Sequence, residues 1–142
     1  MAYKRILVGL DGSKQADLAF AAATDLARVF SAKLYLLWVV NRDRGMDLSF
    51  RVSDDFYQDQ ARKAEEDIKK YVNKAEKSGT DVTGTVIIGN TKTILATSFP
   101  QENDIDLIVL GDTGLNALEK VVVGSHTSYV LRNSNCAVLV VK

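Results

Sequence analysis

The feature that most constrains this chain is an alternation. Five short runs rich in β-branched and aliphatic residues, Ile6 to Leu10, Leu34 to Val40, Val82 to Ile88, Leu107 to Leu110 and Ala137 to Val141, are separated by stretches whose apolar residues recur every three or four positions. A strand sends alternate side chains to opposite faces, whereas a helix returns to one face after about 3.6 residues, so one kind of element cannot satisfy both patterns. Four of the five runs are nearly continuous in apolar residues, which predicts strands covered on both faces, as in a parallel sheet with crossover helices above and below it. Such crossovers are almost always right-handed, which narrows the topologies further. No internal repeat or Gly/Ser-rich linker interrupts the pattern, and residues 1–142 read as one domain, long enough for a hydrophobic core that needs no disulfide or metal staple.

The intervening stretches carry their own start and stop signals. Ala19, Ala22, Ala23, Leu26, Ala27 and Phe30 form one stripe, with Ser13 as a candidate N-cap and Asp17 in the first turn, where a carboxylate favours the positive end of the helix dipole. From Asp54 to Ser78 a second stripe (Tyr57, Ala61, Ala64, Ile68, Tyr71, Val72, Ala75) faces the core. Charges of both signs make the rest a solvated face, and Gly79 stands at C′. A third helix from about Thr91 is expected to be short, because Pro100 disfavours helical geometry at Phe99 and blocks continuation. A fourth runs from Ser125 to about Arg132, with Asn133-Ser134-Asn135 turning into the last strand. Asn41 to Ser53 is the one sizeable irregular segment, either a flap over a site or disordered.

Composition removes several function classes. The 18 Lys and Arg balance 18 Asp and Glu, leaving no general attraction to nucleic acid or to an anionic membrane surface. The longest apolar run, Leu34 to Val40, falls far short of the ~20 residues a spanning helix needs. Met1-Ala2-Tyr3-Lys4-Arg5 leads into a strand-like run rather than a signal peptide. Cys136 has no second cysteine to pair with, and His126 is the sole histidine, so no ligand set for structural zinc exists. The expected location is the cytoplasm, with neither nucleic acid nor membrane as partner.

In an open parallel sheet, ligands lie beyond the carboxyl ends of the strands, where strand order reverses. That rule singles out Asp11, Gly12 and Ser13 after the first run, Asn41 after the second, Gly89 and Asn90 after the third, and Gly111-Asp112-Thr113-Gly114 after the fourth. Together with Gly124-Ser125-His126-Thr127 opening the final helix, the last group suits phosphate. Glycines let main-chain N–H groups approach an anion, and a helix start adds unpaired donors and the positive dipole end. The same residues also serve as ordinary turn and cap chemistry.

The spacing Gly111, two residues, Gly114, nine residues, Gly124-Ser125 resembles the nucleotide-binding motif of the universal stress protein family. The likeness extends over nearly the whole chain: Arg5-Ile6-Leu7-Val8-Gly9-Leu10-Asp11-Gly12-Ser13 resembles that family's opening strand, and Asn135-Cys136-Ala137-Val138-Leu139-Val140-Val141 its closing one. The resemblance implies an α/β fold, an open five-stranded parallel sheet ordered 3-2-1-4-5 with helices on both faces, Rossmann-like and adenine nucleotide hydrolase-like. It also implies a homodimer and, in members carrying the glycines, bound ATP, here expected with Mg2+. Carried over residue by residue, Gly111, Gly114, Gly124, Ser125 and the backbone at His126 hold phosphates, and Thr127 adds a hydroxyl. Asp11, with Gly9 and Leu10 beside it, and the strand end at Val39 and Val40 contact the nucleoside. A carboxylate at Asp11 can accept hydrogen bonds from ribose hydroxyls or the adenine amino group; its alternative role is capping alongside Ser13. The chain departs from the family at Gly89-Asn90-Thr91, where a proline often follows the glycine, and at Ala137, where a proline precedes the final valines. Gly9 stands where some members carry a bulkier residue, which implies a roomier adenine slot.

The function expected from this pattern is an ATP-binding stress-response regulator in which nucleotide occupancy biases loop or dimer conformation. A slow ATPase is one alternative, although the chain has no Walker lysine and no assignable residue to orient water. A dimeric interaction module without nucleotide is another, since Ala137 to Val141 at a sheet edge would invite a partner strand. A response-regulator receiver would need clustered acids after strand one and a lysine after strand five, where only Asp11 and the terminal Lys142 stand. Trp38 is expected in the core and Cys136 as a small buried residue. His126 reads as a surface imidazole at a dipole end or as an acid–base group, and Lys120 as a residue that could reach a phosphate.

Overall fold

A computed structural model of the chain describes residues 2–42, 53–112 and 124–142. Five strands, β1 (Arg5–Leu10), β2 (Lys33–Asn41), β3 (Val82–Gly89), β4 (Leu107–Gly111) and β5 (Ala137–Val141), form one sheet in the order β3-β2-β1-β4-β5. Every pairing is parallel, with Val8 opposite both Leu36 and Val109, Asn41 opposite Gly89 and Gly111 opposite Val141. The chain moves from β1 outward through β2 to β3, then returns across β1 to β4. Strand order therefore reverses between β1 and β4, and their carboxyl ends diverge to leave a crevice.

One face of the sheet carries two long helices, α1 (Lys14–Phe30) and α2 (Asp54–Lys77). Ser13 caps α1 by accepting from the Ala16 N–H at 3.1 Å, and Asp17 lies in the first turn as the sequence indicates. Ser53 caps α2 through the Phe56 N–H at 3.4 Å, and Gly79 follows the helix at φ +83°. Alanines at 16, 19, 23 and 27 bring α1 close to the sheet, where Ile6, Val8, Leu34, Leu36, Phe20 and Ile68 are buried between helices and strands. Tyr71 ties the two helices by donating its hydroxyl to Asp17 Oδ1 at 2.5 Å.

The opposite face is covered by shorter pieces: α3 (Thr91–Thr93), a π-helical turn (Ile94–Ser98), α4 (Phe99–Glu102) and α5 (Ser125–Asn133). Leu7, Leu37, Ile108, Leu95, Phe99 and Val130 form the core there. Here the expectation of a helix stopped by Pro100 is corrected. Phe99 keeps helical dihedrals, φ −67° and ψ −45°, and the helical path continues to Glu102. The physical reason is the π turn. The Phe99 N–H bonds the Ile94 carbonyl five residues back, which widens the helix ahead of the proline and restarts the hydrogen-bond count, so Pro100 falls in a first turn where no N–H is required.

The strand cover is also uneven. β4 is buried along its length, whereas Ala137 and Leu139 of β5 are exposed and β3 is partly open, so the expectation of double cover holds for the central strands and fails at the edges. A near-continuous apolar run signals strand but does not report whether the strand is central.

Candidate functional site

At the reversal point the ends of β1, β2 and β4 meet the start of α5 around a cavity of about 220 Å³. Leu37 and Val39 of β2, Leu95 of the π turn and Leu110 of β4 give it apolar walls, while Asp11, Asn41, Thr91 and His126 supply polar groups. Of the residues singled out from sequence, Gly9, Leu10, Asp11, Val39, Gly111, His126 and Thr127 all line this one space. Val40 instead lines an adjoining cleft of about 610 Å³ between the β2 end and α2, which shares Asp11, Val39 and Asn41 with the first. Gly114, Thr113 and Lys120 lie outside the described residues, as do residues 43–52 of the irregular segment.

Each position has a local reason. Asp11 ends β1 and accepts from the Ser13 N–H at 2.9 Å, while Ser13 itself caps α1, so both residues take part in starting the helix and the Asp11 side chain remains exposed. Gly12 between them sits at φ +83°, a backbone region that disfavours any side chain. The close approach of α1 to β4 dictates Gly111: a Cβ there would run into the Gln15 backbone carbonyl. Thr127, 1% exposed, donates its hydroxyl to the Gly111 carbonyl at 3.3 Å. That donor, expected for phosphate, is instead engaged within the protein and fastens α5 to the β4 end. Gly124 precedes α5 at φ −54° and ψ 152° and, as glycine, offers no side-chain cap, so among the described residues the first N–H groups of α5 have no side-chain cap. Ser125 is exposed at the first helical position.

Two further expectations are corrected by packing. The cavity is not made roomier by Gly9, because a Cβ there would already meet Leu110 Cδ2 at 3.1 Å and Leu95 Cδ2 at 3.2 Å; these leucine tips occupy the space a larger residue would fill. Trp38 packs against the core as expected but is only partly buried. One side packs on the core below α1 and α2, and its ring lies over Gly12, 3.4 Å from where a Cβ would stand, lining the larger cleft with Phe56 and Lys63. Cys136 is half-buried rather than buried, and burial with Asp106 nearby pushes its thiol pKa up.

The site also contains links that sequence reasoning did not reveal. Asn41 Oδ1 accepts from both the N–H and the hydroxyl of Thr91, at 3.1 and 3.0 Å, joining the β2 end to the segment after β3. Its position after a strand marked Asn41, but nothing local reveals a partner 50 residues away. Lys92 follows Thr91 and acts electrostatically on His126. Burial is the largest cause holding the His126 imidazole below its ordinary 6.5; Lys92 pushes in the same direction and Asp11 opposes. His126 is therefore neutral at pH 7 and able to donate or accept one hydrogen bond. The buried Asp112 Oδ1 has no hydrogen-bond partner among the described residues.

These features define a doubly wound α/β protein with a half-open crevice at its topological switch point, apolar within and edged by a few convergent polar groups. The chain belongs to the universal stress protein family, whose model matches residues 2–142. A protein named as a universal stress protein from Staphylococcus haemolyticus is 35% identical over 144 aligned positions, covering 100% of this chain and 86% of its own. The universal stress protein UspA from Lactobacillus plantarum is 30% identical, with a TM-score of 0.81 and coverage of 100% of this chain and 99% of its own. Two structures show likeness of fold alone. A universal stress protein in complex with cAMP is 24% identical (TM-score 0.70, covering 99% of this chain and 98% of its own). The universal stress protein from Archaeoglobus fulgidus in complex with dAMP is 21% identical (TM-score 0.71, 100% of both chains).

Proposed function

We propose that this chain is an adenine-nucleotide-binding regulator, with ATP as its ligand. The observation that carries the reading is the cavity at the strand-order reversal. Four separate elements deliver Asp11, Val39, Gly111 and His126 to one space, with the uncapped start of α5 following Gly124 close by in sequence. An apolar crevice of this size suits a purine base. Asp11 suits a ribose hydroxyl or base amino group, and the N–H groups of α5 suit phosphate. The cAMP and dAMP complexes of the two fold relatives support the adenine class. In this reading Leu10 and Gly9 border the base, Val39 and Val40 lie along the nucleoside, and Gly111, Gly114, Gly124, Ser125 and the His126 backbone form the phosphate loop. Thr127 holds that loop to β4.

Mg2+ would arrive with the triphosphate. It takes hard oxygen ligands and is commonly shared between phosphates and one or two carboxylates, and the unpartnered Asp112 Oδ1 is an oxygen of that kind. The ion would neutralise phosphate charge; Asp112 would fix its place relative to β4. Slow hydrolysis is the most this reading allows, since the chain carries no Walker lysine.

The proposal further makes residues 1–142 one domain of a cytoplasmic homodimer joined along β5. Among the described residues that strand pairs only with β4, and it exposes Leu139, so its outer edge offers backbone donors and acceptors to a second copy. Calorimetry of dialysed protein with ATP and Mg2+, with mass spectrometry of any co-purified ligand, tests the central reading. Saturable heat or a released adenine nucleotide is expected, and absence of both overturns it. Gly124→Val is expected to abolish binding by putting a side chain in the phosphate path; unchanged affinity refutes that placement. Light scattering should give a dimer, and a monomer would remove the β5 pairing.

A further inference from the structure

We propose that Lys92 is the residue that makes this site discriminate among ligands by their negative charge, favouring longer phosphate chains. The inference rests on the adenine-nucleotide reading and extends it to specificity. Thr91 and His126 line the same cavity although they belong to different crossovers, and α3 packs against α5 there. Lys92 is the residue after Thr91, whose N–H and hydroxyl are both held by Asn41, so the backbone from which Lys92 projects is fixed to the β2 end. With α3 packed against α5, its ammonium acts on the imidazole of His126, the second residue of α5. Among the described residues no carboxylate pairs with it.

The need for such a charge follows from Asp11. That carboxylate lines the same cavity, and it too acts on His126. A phosphate chain leaving the cavity past His126 is repelled by Asp11, and a neutral imidazole does nothing to offset the repulsion. The amides of α5 contribute only the partial charge of a helix end, about half a unit. A full, unpaired ammonium in partly desolvated surroundings is the stronger counterweight, and Coulomb attraction grows with ligand charge. Lys92 should therefore matter little for adenosine, more for AMP and most for ATP. Lys92 stands two residues beyond Asn90, past the strand end, which is why it is not evident from spacing.

The test is the affinity of adenosine, AMP and ATP, measured by calorimetry on full-length wild type, Lys92→Gln and Lys92→Arg. In wild type, affinity is expected to rise with phosphate number. In Lys92→Gln, adenosine should be unchanged, AMP should weaken about threefold and ATP about tenfold, the loss of one charge-assisted contact. Lys92→Arg should retain most of the ATP affinity, and raised salt should weaken ATP binding less in Lys92→Gln than in wild type. An equal loss for all three ligands would assign Lys92 a structural role and overturn the proposal, as would no loss for any. Wild type that binds none of the three would overturn the nucleotide reading itself, whereas wild-type binding with a charge-independent Lys92→Gln effect overturns this inference alone.

Discussion

The two faces of the sheet are built to different standards. On one, α1 and α2 are long, capped by Ser13 and Ser53, and seated on a continuous layer of fully buried side chains. On the other, three short helical pieces interrupted by a π turn cover the sheet incompletely, and the cavity opens there between Leu37, Leu95 and Leu110. The long helices close-pack over the middle of the sheet and leave a cleft at the β2 end beside α2, whereas the irregular face gives up contacts next to the strand-order reversal and gains an apolar cavity there. The difference teaches where stability and binding reside, and substitutions can separate them.

The largest expected effect is on the regular face. Leu36→Ala removes a fully buried side chain between α1, α2 and the sheet, and should cost about 3 kcal/mol in urea unfolding. Leu95→Ala, whose side chain already borders empty space, should cost about half as much while altering nucleotide affinity. Equal costs would erase the contrast. Gly111→Ala comes next. Its added methyl meets the Gln15 backbone, and about 2 kcal/mol of destabilisation is expected, with loss of binding as a consequence of α1 moving away from β4. Full stability in that variant would show that the approach can relax.

The extent to which this contrast was legible in sequence depends on how local its causes are. Strand positions, the Ser13 cap, the Gly79 stop and the α2 stripe were readable because each is decided within one or two turns of chain. That Asp11 and Gly111 border the cavity was readable from the strand ends, whereas Gly124 precedes α5 without lining it. Pro100 misled, because the rule that stops a helix there assumes α geometry and gives no sign of the π turn that accommodates the ring. The roles of Thr127, Gly9 and Asn41 were hidden for another reason. Each is set by a partner on another element, namely the Gly111 carbonyl, the tips of Leu95 and Leu110, and Thr91.

The smallest expected effect concerns the bond between the two long helices. Burial first, then the hydrogen bond and charge of Asp17, with Asp67 and Asp11 in the same sense, together raise the Tyr71 hydroxyl to about 12. The folded state thus holds its proton after the unfolded chain has lost it. The stabilisation is fully present below pH 10 and disappears as pH rises through 10 toward 12. Asp17→Asn should move the ultraviolet titration of Tyr71 back toward 10, and Tyr71→Phe should cost no more than about 1 kcal/mol at neutral pH. A tyrosinate titration unchanged by Asp17→Asn would remove that link from the regular face.

The central claim is that an adenine nucleotide occupies the cavity at the reversal of strand order. Methyl-labelled protein titrated with ATP and Mg2+ tests it most directly. Signals of Val39, Leu37, Leu95 and Leu110 are expected to shift in proportion to occupancy while Leu36 on the opposite face stays in place. Saturation with ATP that leaves those four side chains unmoved would contradict the account.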